Sequence, residues 1–238
     1  MTEDTVRPAG PPTPAPSLPG RGSGASAVPR WSLVLPVKPL DLAKSRLGPF
    51  AGARRAELAL AFALDTVSAA LACPLVARVL VVTGDPVVAA GVAALGALVV
   101  GDEPGGRHGG LNPALAHGAA RARLFAPRAP LATLSADLPA LRPAELARVL
   151  AAVPPGHRAF LADTPGTGTT LLACPPGRAL RPAFGPGSRD RHAADGAREL
   201  PLPDVPSVRR DVDTGADLAE ALALGVGPHT ATVAATLV

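Results

Sequence analysis

Two lysines that lie six residues apart are the first candidates for chemistry in this 238-residue sequence. Lys38 and Lys44 are its only lysines, although it contains 23 lysines and arginines in total. An ammonium group is a compact charge on a flexible stem, which suits a phosphate that moves or changes charge, whereas the planar arginine fork suits a fixed bidentate partner. We therefore interpret the segment after Pro36 as a polyphosphate-binding loop.

Three aspartates are candidate ligands of a divalent cation. Asp137 follows an apolar run in the sequence SADLPAL, and ligands of open parallel sheets bind just outside the carboxyl ends of the strands. Asp211 and Asp213 stand two apart in a short extended segment, so their side chains point to the same side. The alternatives are that Asp137 only caps the next helix, and that Asp211 and Asp213 are one cap and one surface charge.

Two glycine-rich segments are candidate anion sites. In TPGTGT, residues 164–169, the amide groups freed by the glycines could cradle an anion, and a plain hairpin turn is the alternative. In FGPGSRDRHAADGA, residues 184–197, Ser188 is expected to cap a short helix that has Arg189 and Arg191 beside it. A helix start next to two arginines favours phosphate binding.

Four other polar residues receive local interpretations. Asn112 could cap a helix or contact a nucleotide, and the sequence favours neither. Asp85 is expected to cap the helix that begins at Pro86, which suits the first helical position. Asp65 and His192 are expected to be solvated.

The elements that must position these residues alternate between strands and helices. Short apolar runs predict strands, and Ala/Leu patterns at helical spacing predict helices between them. This alternation predicts an α/β fold with a mainly parallel central sheet, helices on both faces, and antiparallel pairing in the later part. A glycine-rich loop is expected from residue 101 to the helix that begins near residue 112. The predicted strands are residues 31–37, 78–84, 97–100, 131–135, 158–163 and 170–174.

The sequence predicts one folded domain between two tails. Residues 1–29 are crowded with Pro, Gly and Ser, lack the pattern of a secretory signal, and are expected to be disordered. With 47% apolar residues in the whole chain, residues 30–226 can bury a single core as a catalytic domain. Residues 227–238 are expected to form a C-terminal tail.

Composition also excludes several classes of protein. Aromatic residues make up only 3% of the sequence, whereas proteins that read nucleic acids tend to pair basic patches with exposed aromatics. No apolar run approaches the roughly 20 residues of a membrane helix. Cys73 and Cys174 have no metal or redox spacing and are expected to be buried and unpaired. We therefore expect a soluble, cytoplasmic protein whose partners are neither nucleic acids nor membranes.

Five segments in one order resemble the guanylyltransferases of coenzyme F-420 biosynthesis, which act on 2-phospho-L-lactate or phosphoenolpyruvate. The segments are the lysine loop, ADLPAL, DTPGTGTTLL, FGPGSRDRHAADGA and RRDVDTGADL, and the resemblance runs from about residue 31 to residue 224. It implies a single-domain, nucleotidyltransferase-like (Rossmann-like) fold that transfers GMP from GTP to a three-carbon phospho-acid and releases pyrophosphate. It further implies Mg²⁺ as cofactor, as two ions, and delivery of the product to a deazaflavin transferase.

The resemblance also implies roles for individual residues. The metal ligands would be Asp137 and the pair Asp211 and Asp213, with Asp211 favoured as the second ligand. The catalytic residues would be Asp137, Asp211 and Lys38. The residues placed at GTP are Lys38, Lys44, Arg46 and Asn112, and those placed at phosphoenolpyruvate are Thr170, Gly185 and Ser188.

Two alternative functions remain open at the level of sequence. Another nucleotidyltransferase of the same fold, such as a molybdopterin guanylyltransferase, is one, but those enzymes usually open with a glycine-rich loop, whereas no glycine occurs here between Pro36 and Gly48. A non-catalytic nucleotide sensor is the other. Among the phospho-acids, phosphoenolpyruvate is favoured because the abundance of Ala, Arg, Pro and Gly suggests GC-rich coding and an actinobacterial source.

Overall fold

The computed structural model describes residue 1, residues 30–101 and residues 110–237. The predicted disordered tail, apart from its first residue, and nearly all of the predicted glycine-rich loop lie outside the described residues. Among the described residues, no helix combines the length and the apolar character needed to cross a membrane.

Within the described ranges, one seven-stranded sheet runs through the molecule in the order β3-β2-β1-β4-β6-β5-β7. Strand β6 pairs antiparallel with both of its neighbours, and the other pairs are parallel, so the sheet is mainly parallel, as predicted. The short edge strand β7 was not predicted from the sequence. The strands are β1 (Trp31–Pro36), β2 (Val76–Val82), β3 (Leu98–Val100), β4 (Leu131–Leu134), β5 (Ala159–Ala162), β6 (Thr169–Cys174) and β7 (Arg198–Glu199).

Helices cover both faces of this sheet, which confirms the predicted α/β class. Alternate residues of β1 point to opposite faces, so that Leu33 and Leu35 join one apolar cluster and Val34 joins another. Gly118 allows close packing on the second face, because a Cβ there would lie 2.5 Å from the side chain of Val34. The helices are α1 (Gly48–Ala51), α2 (Arg55–Ala72), α3 (Pro86–Ala94), α4 (Leu111–Phe125), α5 (Pro143–Ala151), α6 (Ser188–Ala194), α7 (Pro206–Arg209), α8 (Gly215–Leu224) and α9 (Pro228–Ala234).

A buried carboxylate on α2 joins this helix to α9. Asp65 is 4% exposed and accepts hydrogen bonds from the amides of His229 (3.1 Å) and Thr230 (2.7 Å) at the start of α9. The prediction that Asp65 is solvated is therefore wrong. Most of the segment expected to be a C-terminal tail is a helix that packs on α2, since the sequence pattern did not reveal its distant capping residue.

Candidate functional site

A cleft of about 700 Å³ opens at the carboxyl ends of β1 and β4, where ligands of such sheets bind. Its walls come from the loop after β1, the residues after β4, the turn between β5 and β6, the loop before α6 and the segment before α8. The predicted site residues that line it are Lys38, Lys44, Arg46, Asp137, Gly185, Ser188, Asp211 and Asp213.

The three aspartates converge in this cleft because their backbones are joined. The amide of Val212 donates to the carbonyl of Asp137 (3.1 Å), and the buried Val212 side chain leaves Asp211 and Asp213 facing the cleft. Their predicted orientation to one side is thus confirmed. The alternative that Asp137 caps α5 is wrong, because Arg142 occupies the N-cap position of that helix.

Lys44 lies between two of these carboxylates. Its ammonium group donates to Asp137 Oδ2 and, over 2.8 Å, to Asp213 Oδ1, and its side chain is 12% exposed. Burial opposes the charge of Lys44, but Asp137 and Asp213 outweigh burial and raise the pKa of the ammonium group. Lys38 is exposed and lines the cleft, so the two lysines occupy different environments.

Two residues outside the predicted site hold the lysine loop in place. The Arg55 guanidinium at the start of α2 donates to the carbonyls of Asp41 and Ala43, and Asp85 Oδ2 accepts from the amide of Leu40 (2.9 Å). Asp85 Oδ1 caps α3 through the amides of residues 87 and 88, which confirms the predicted cap. Partial burial opposes ionisation of Asp85, but these amides lower the pKa of its carboxyl group.

The acidic cluster has the charge that a divalent cation would balance. Burial, and the charges of Asp137 and Asp213, raise the pKa of Asp211 to about 7. Asp137 Oδ1 is buried without a hydrogen-bond partner among the described residues. The described residues contain no group of three His, Cys, Asp or Glu side chains gathered closely enough to hold a metal alone. The arrangement therefore fits an ion such as Mg²⁺, which one or two carboxylates usually hold together with substrate phosphates.

The TPGTGT segment is a hairpin turn whose amides are already occupied. Asp163 accepts hydrogen bonds from the amides of Thr167 (2.9 Å) and Gly168 (2.8 Å), and a Cβ at Gly168 would lie 2.2 Å from the same carboxylate. The expected anion cradle is thus filled by a carboxylate of the chain itself, and the hairpin alternative is correct. The usual local signal did not indicate this role, since an aspartate in a turn commonly bonds the amide two residues on, whereas Asp163 bonds amides four and five residues on.

The arginines beside Ser188 are engaged by the protein. Arg189 pairs with Glu199 over 3.0 Å, and Arg191 donates to backbone carbonyls of residues 183 and 186. The helix α6 begins at Ser188 itself, which is buried, and Gly187 holds the N-cap position in a left-handed conformation. The prediction that Ser188 caps α6 is therefore wrong. The two arginines bind groups of the protein, so the phosphate site predicted beside them is not supported.

Three further residues take positions that the sequence did not indicate. His192, expected to be solvated, is fully buried between Thr169 and the loop before α6. Asn112 follows the first residue of α4 and bonds to the backbone of Phe184, so it is not the helix cap. Thr170 is fully buried, and its hydroxyl has no hydrogen-bond partner among the described residues.

The sequence of this chain is similar to those of several known proteins. Residues 57–201 match the model of the MobA-like NTP transferase domain. The chain is 64% identical to phosphoenolpyruvate guanylyltransferase of Streptomyces coelicolor, over 87% of this chain and 97% of that protein. It is 61% identical to the protein of the same name from Thermomonospora curvata, over 87% of this chain and 90% of that protein.

A solved structure shows the same fold at low sequence identity. A nucleotidyl transferase from Methanothermobacter thermautotroptrophicus superposes with a TM-score of 0.52 and 19% identity, over 80% of this chain and 95% of that chain. This similarity confirms the predicted nucleotidyltransferase-like fold. With its MobA-like NTP transferase domain and its high identity to curated relatives, the chain belongs to the phosphoenolpyruvate guanylyltransferase family.

Proposed function

We propose that this guanylyltransferase transfers GMP from GTP to phosphoenolpyruvate and releases pyrophosphate. The relatives at 61–64% identity carry the name of that activity. The observation that carries the proposal is the meeting of Asp137, Asp211 and Asp213 with the lysine loop in one cleft at the carboxyl ends of parallel strands. Such a cleft combines carboxylates for a cation with ammonium groups for phosphates.

The proposed reaction needs position and charge more than it needs a protein base. A phosphate oxygen of the acceptor attacks the α-phosphorus of GTP, and the bond from that phosphorus to the oxygen bridging to the β-phosphate breaks, so that pyrophosphate leaves. The attacking phosphate is largely ionised near neutral pH, because its second pKa is about 6. Orientation of the two substrates and compensation of charge therefore account for the rate enhancement.

Each part of the cleft has a role in this proposal. Asp137 and Asp211, with Asp213 beside them, would hold Mg²⁺, which supplies positive charge to the reacting phosphates when bound. Lys38 and Lys44 would offset the charge that develops on departing pyrophosphate. Arg46, which is largely exposed and 3.8 Å from Asp213, would contact GTP, as the resemblance implies.

The acceptor side and the biological setting are also part of the proposal. By resemblance, Gly185, Ser188 and Thr170 would contact phosphoenolpyruvate. The first two line the cleft, whereas Thr170 is fully buried outside its lining and would support the wall instead of contacting the acceptor. The product would pass to a deazaflavin transferase in coenzyme F-420 biosynthesis. A cytoplasmic location agrees with Cys73 and Cys174, which are buried and unpaired, as expected from the sequence.

The direct test is pyrophosphate release from GTP and Mg²⁺ with phosphoenolpyruvate, 2-phospho-L-lactate and 3-phosphoglycerate in parallel reactions. Phosphoenolpyruvate should give the highest kcat/KM. A second set of reactions contains the deazaflavin acceptor and its transferase, which would remove an unstable or inhibitory product. Absence of turnover with all three acids in both sets would contradict the proposal.

Replacement of Asp137 tests the assignment of the cation site. The Asp137→Ala protein should lose pyrophosphate release by at least about a hundredfold, since a group that places charge at the reacting phosphates is removed. Asp204→Ala serves as the control, because Asp204 is exposed and pairs with Arg148 outside the cleft. Full activity of a folded Asp137→Ala protein would refute the role of Asp137.

A further inference from the structure

A short backbone segment in the wall of the cleft, residues 183–185, is held from behind by side chains. Asn112 on α4 accepts a hydrogen bond from the amide of Phe184 (2.7 Å) and donates one to the carbonyl of the same residue (3.1 Å). The side-chain amide of Asn112 thus bonds both the backbone N–H and the backbone C=O of Phe184. It therefore fixes the orientation of this residue, as a neighbouring strand would.

His192 on α6 holds the neighbouring residue. Its Nε2 accepts from the amide of Ala183 (3.0 Å), so the ring proton lies on Nδ1, which faces Thr169 Oγ1 at 3.0 Å. The imidazole is fully buried and packs against the rings of Phe160 and Phe184, with centroids 5.9 and 5.1 Å away. His192 therefore links the start of β6 to the loop before α6.

The two side chains act on the cleft through the backbone they hold. Phe184, Gly185 and Thr169 line the cleft, whereas Asn112 and His192 lie behind this wall. Gly185 and Gly187 have φ values of 115° and 70°, a region that glycine enters without strain and that leaves such a segment many conformations when it is not tied down. An acceptor that binds here would otherwise have to order the segment itself.

We propose that Asn112 and His192 are positioning residues that preorganise the 183–185 backbone for the phospho-acid substrate. The inference rests on the proposed function, since it specifies which of the two substrates this wall serves. It gives Asn112 a role at the acceptor in place of the direct contact with GTP implied by the resemblance. Ordering the segment in advance lowers the entropic cost of acceptor binding, and it leaves GTP binding at the lysine loop unaffected.

The test separates the two substrates kinetically. Asn112→Leu removes both bonds to Phe184, and His192→Phe keeps a ring against the neighbouring phenylalanines but removes the bond to the Ala183 amide. Each variant should raise KM for phosphoenolpyruvate by about tenfold and leave KM for GTP within about twofold, the size expected when one or two hydrogen bonds that order a binding segment are lost. Arg121→Ala, on the exposed face of α4, is the control and should change neither.

Two further readouts distinguish positioning from a loss of the fold. In nucleotide-free protein, hydrogen exchange should accelerate in residues 180–188 of both variants, while the strands β1 and β4 keep their protection. In the double variant the rise in KM should be smaller than the product of the single effects, because both side chains hold one segment.

Several results would overturn the inference. One is a rise in KM for GTP with KM for phosphoenolpyruvate unchanged, which would indicate that Asn112 contacts GTP. Another is unchanged hydrogen exchange in residues 180–188. If the wild-type enzyme gave no turnover with phosphoenolpyruvate, the proposed function would fail, and the hydrogen-exchange comparison would still decide whether these two side chains order the segment.

Discussion

At the scale of single residues, Lys44 places its ammonium group where two carboxylates would otherwise attract a cation. It bonds to both Asp137 and Asp213, and it is largely buried between them. A lysine side chain is long and flexible, so it can leave this position and reach a nearby phosphate. Entry of a divalent cation with GTP would then release Lys44 for the polyphosphate, and metal and nucleotide would favour each other's binding.

Lys44→Met is expected to strengthen divalent-cation binding to the nucleotide-free protein. The substitution keeps the apolar stem but leaves Asp137 and Asp213 without their counter-ion, so Mn²⁺ should bind about tenfold tighter or more. Calorimetric titration of the protein with Mn²⁺ in the absence of GTP measures this affinity. The same variant should bind GTP more weakly, because a cation near the phosphates is lost.

Arg46→Met is the matched control for this experiment. The Arg46 side chain is 74% exposed and 3.8 Å from Asp213, so its removal should change Mn²⁺ affinity very little. Equal or weaker Mn²⁺ binding in Lys44→Met than in the wild type would show that Lys44 does not compete with the cation.

At the scale of elements, the lysine loop depends on a helix cap from the next strand–helix unit. One oxygen of Asp85 caps α3, and the other accepts from the Leu40 amide in the loop. Asp85→Ala should lose both interactions, and the free energy of unfolding should fall by about 1 kcal/mol, the usual cost of a lost cap. KM for GTP should rise as well, because the loop loses an anchor.

Asp85→Ser separates the two roles of this residue. A serine hydroxyl can cap α3 but has a single oxygen, so it cannot also reach the Leu40 amide. Chemical unfolding should show nearly wild-type stability, whereas KM for GTP should rise as in Asp85→Ala. Wild-type KM in both variants would mean that the bond to Leu40 does not position the loop.

Local sequence patterns predicted the strands better than they predicted the long-range contacts that hold the helices. All six predicted strands are present, because runs of Val, Leu and Ala between glycines and prolines carry a local signal. The helix α9 was missed, since its capping carboxylate, Asp65, lies in α2, 165 residues before Thr230. Such a cap leaves no trace in the sequence near the helix that it stabilises.

At the scale of the whole molecule, the sequence predicted those residues of the candidate site whose position relative to a strand determines where their side chains lie. Asp137 follows a strand, and the alternation of residues 211–213 directs two carboxylates to one side. The supporting contacts were not predictable. Lys44 reaches Asp137 and Asp213 across 93 and 169 residues, and Asn112 meets Phe184 across 72, so only the packed sheet and helices bring them together.

The buried His192 should make the stability of the whole molecule depend on pH. Burial, aided by the positive charges of Arg191 and Arg158 and opposed by Asp195, lowers its pKa from 6.5 to about 4. Between these values the unfolded chain binds a proton that the folded chain does not. The free energy of unfolding should therefore fall as pH falls through this window, by up to about 3 kcal/mol from this residue.

Urea unfolding at about pH 7 and about pH 4.5 should show a smaller loss of stability for His192→Gln than for the wild type. A loss in His192→Gln equal to that of the wild type would contradict the assignment.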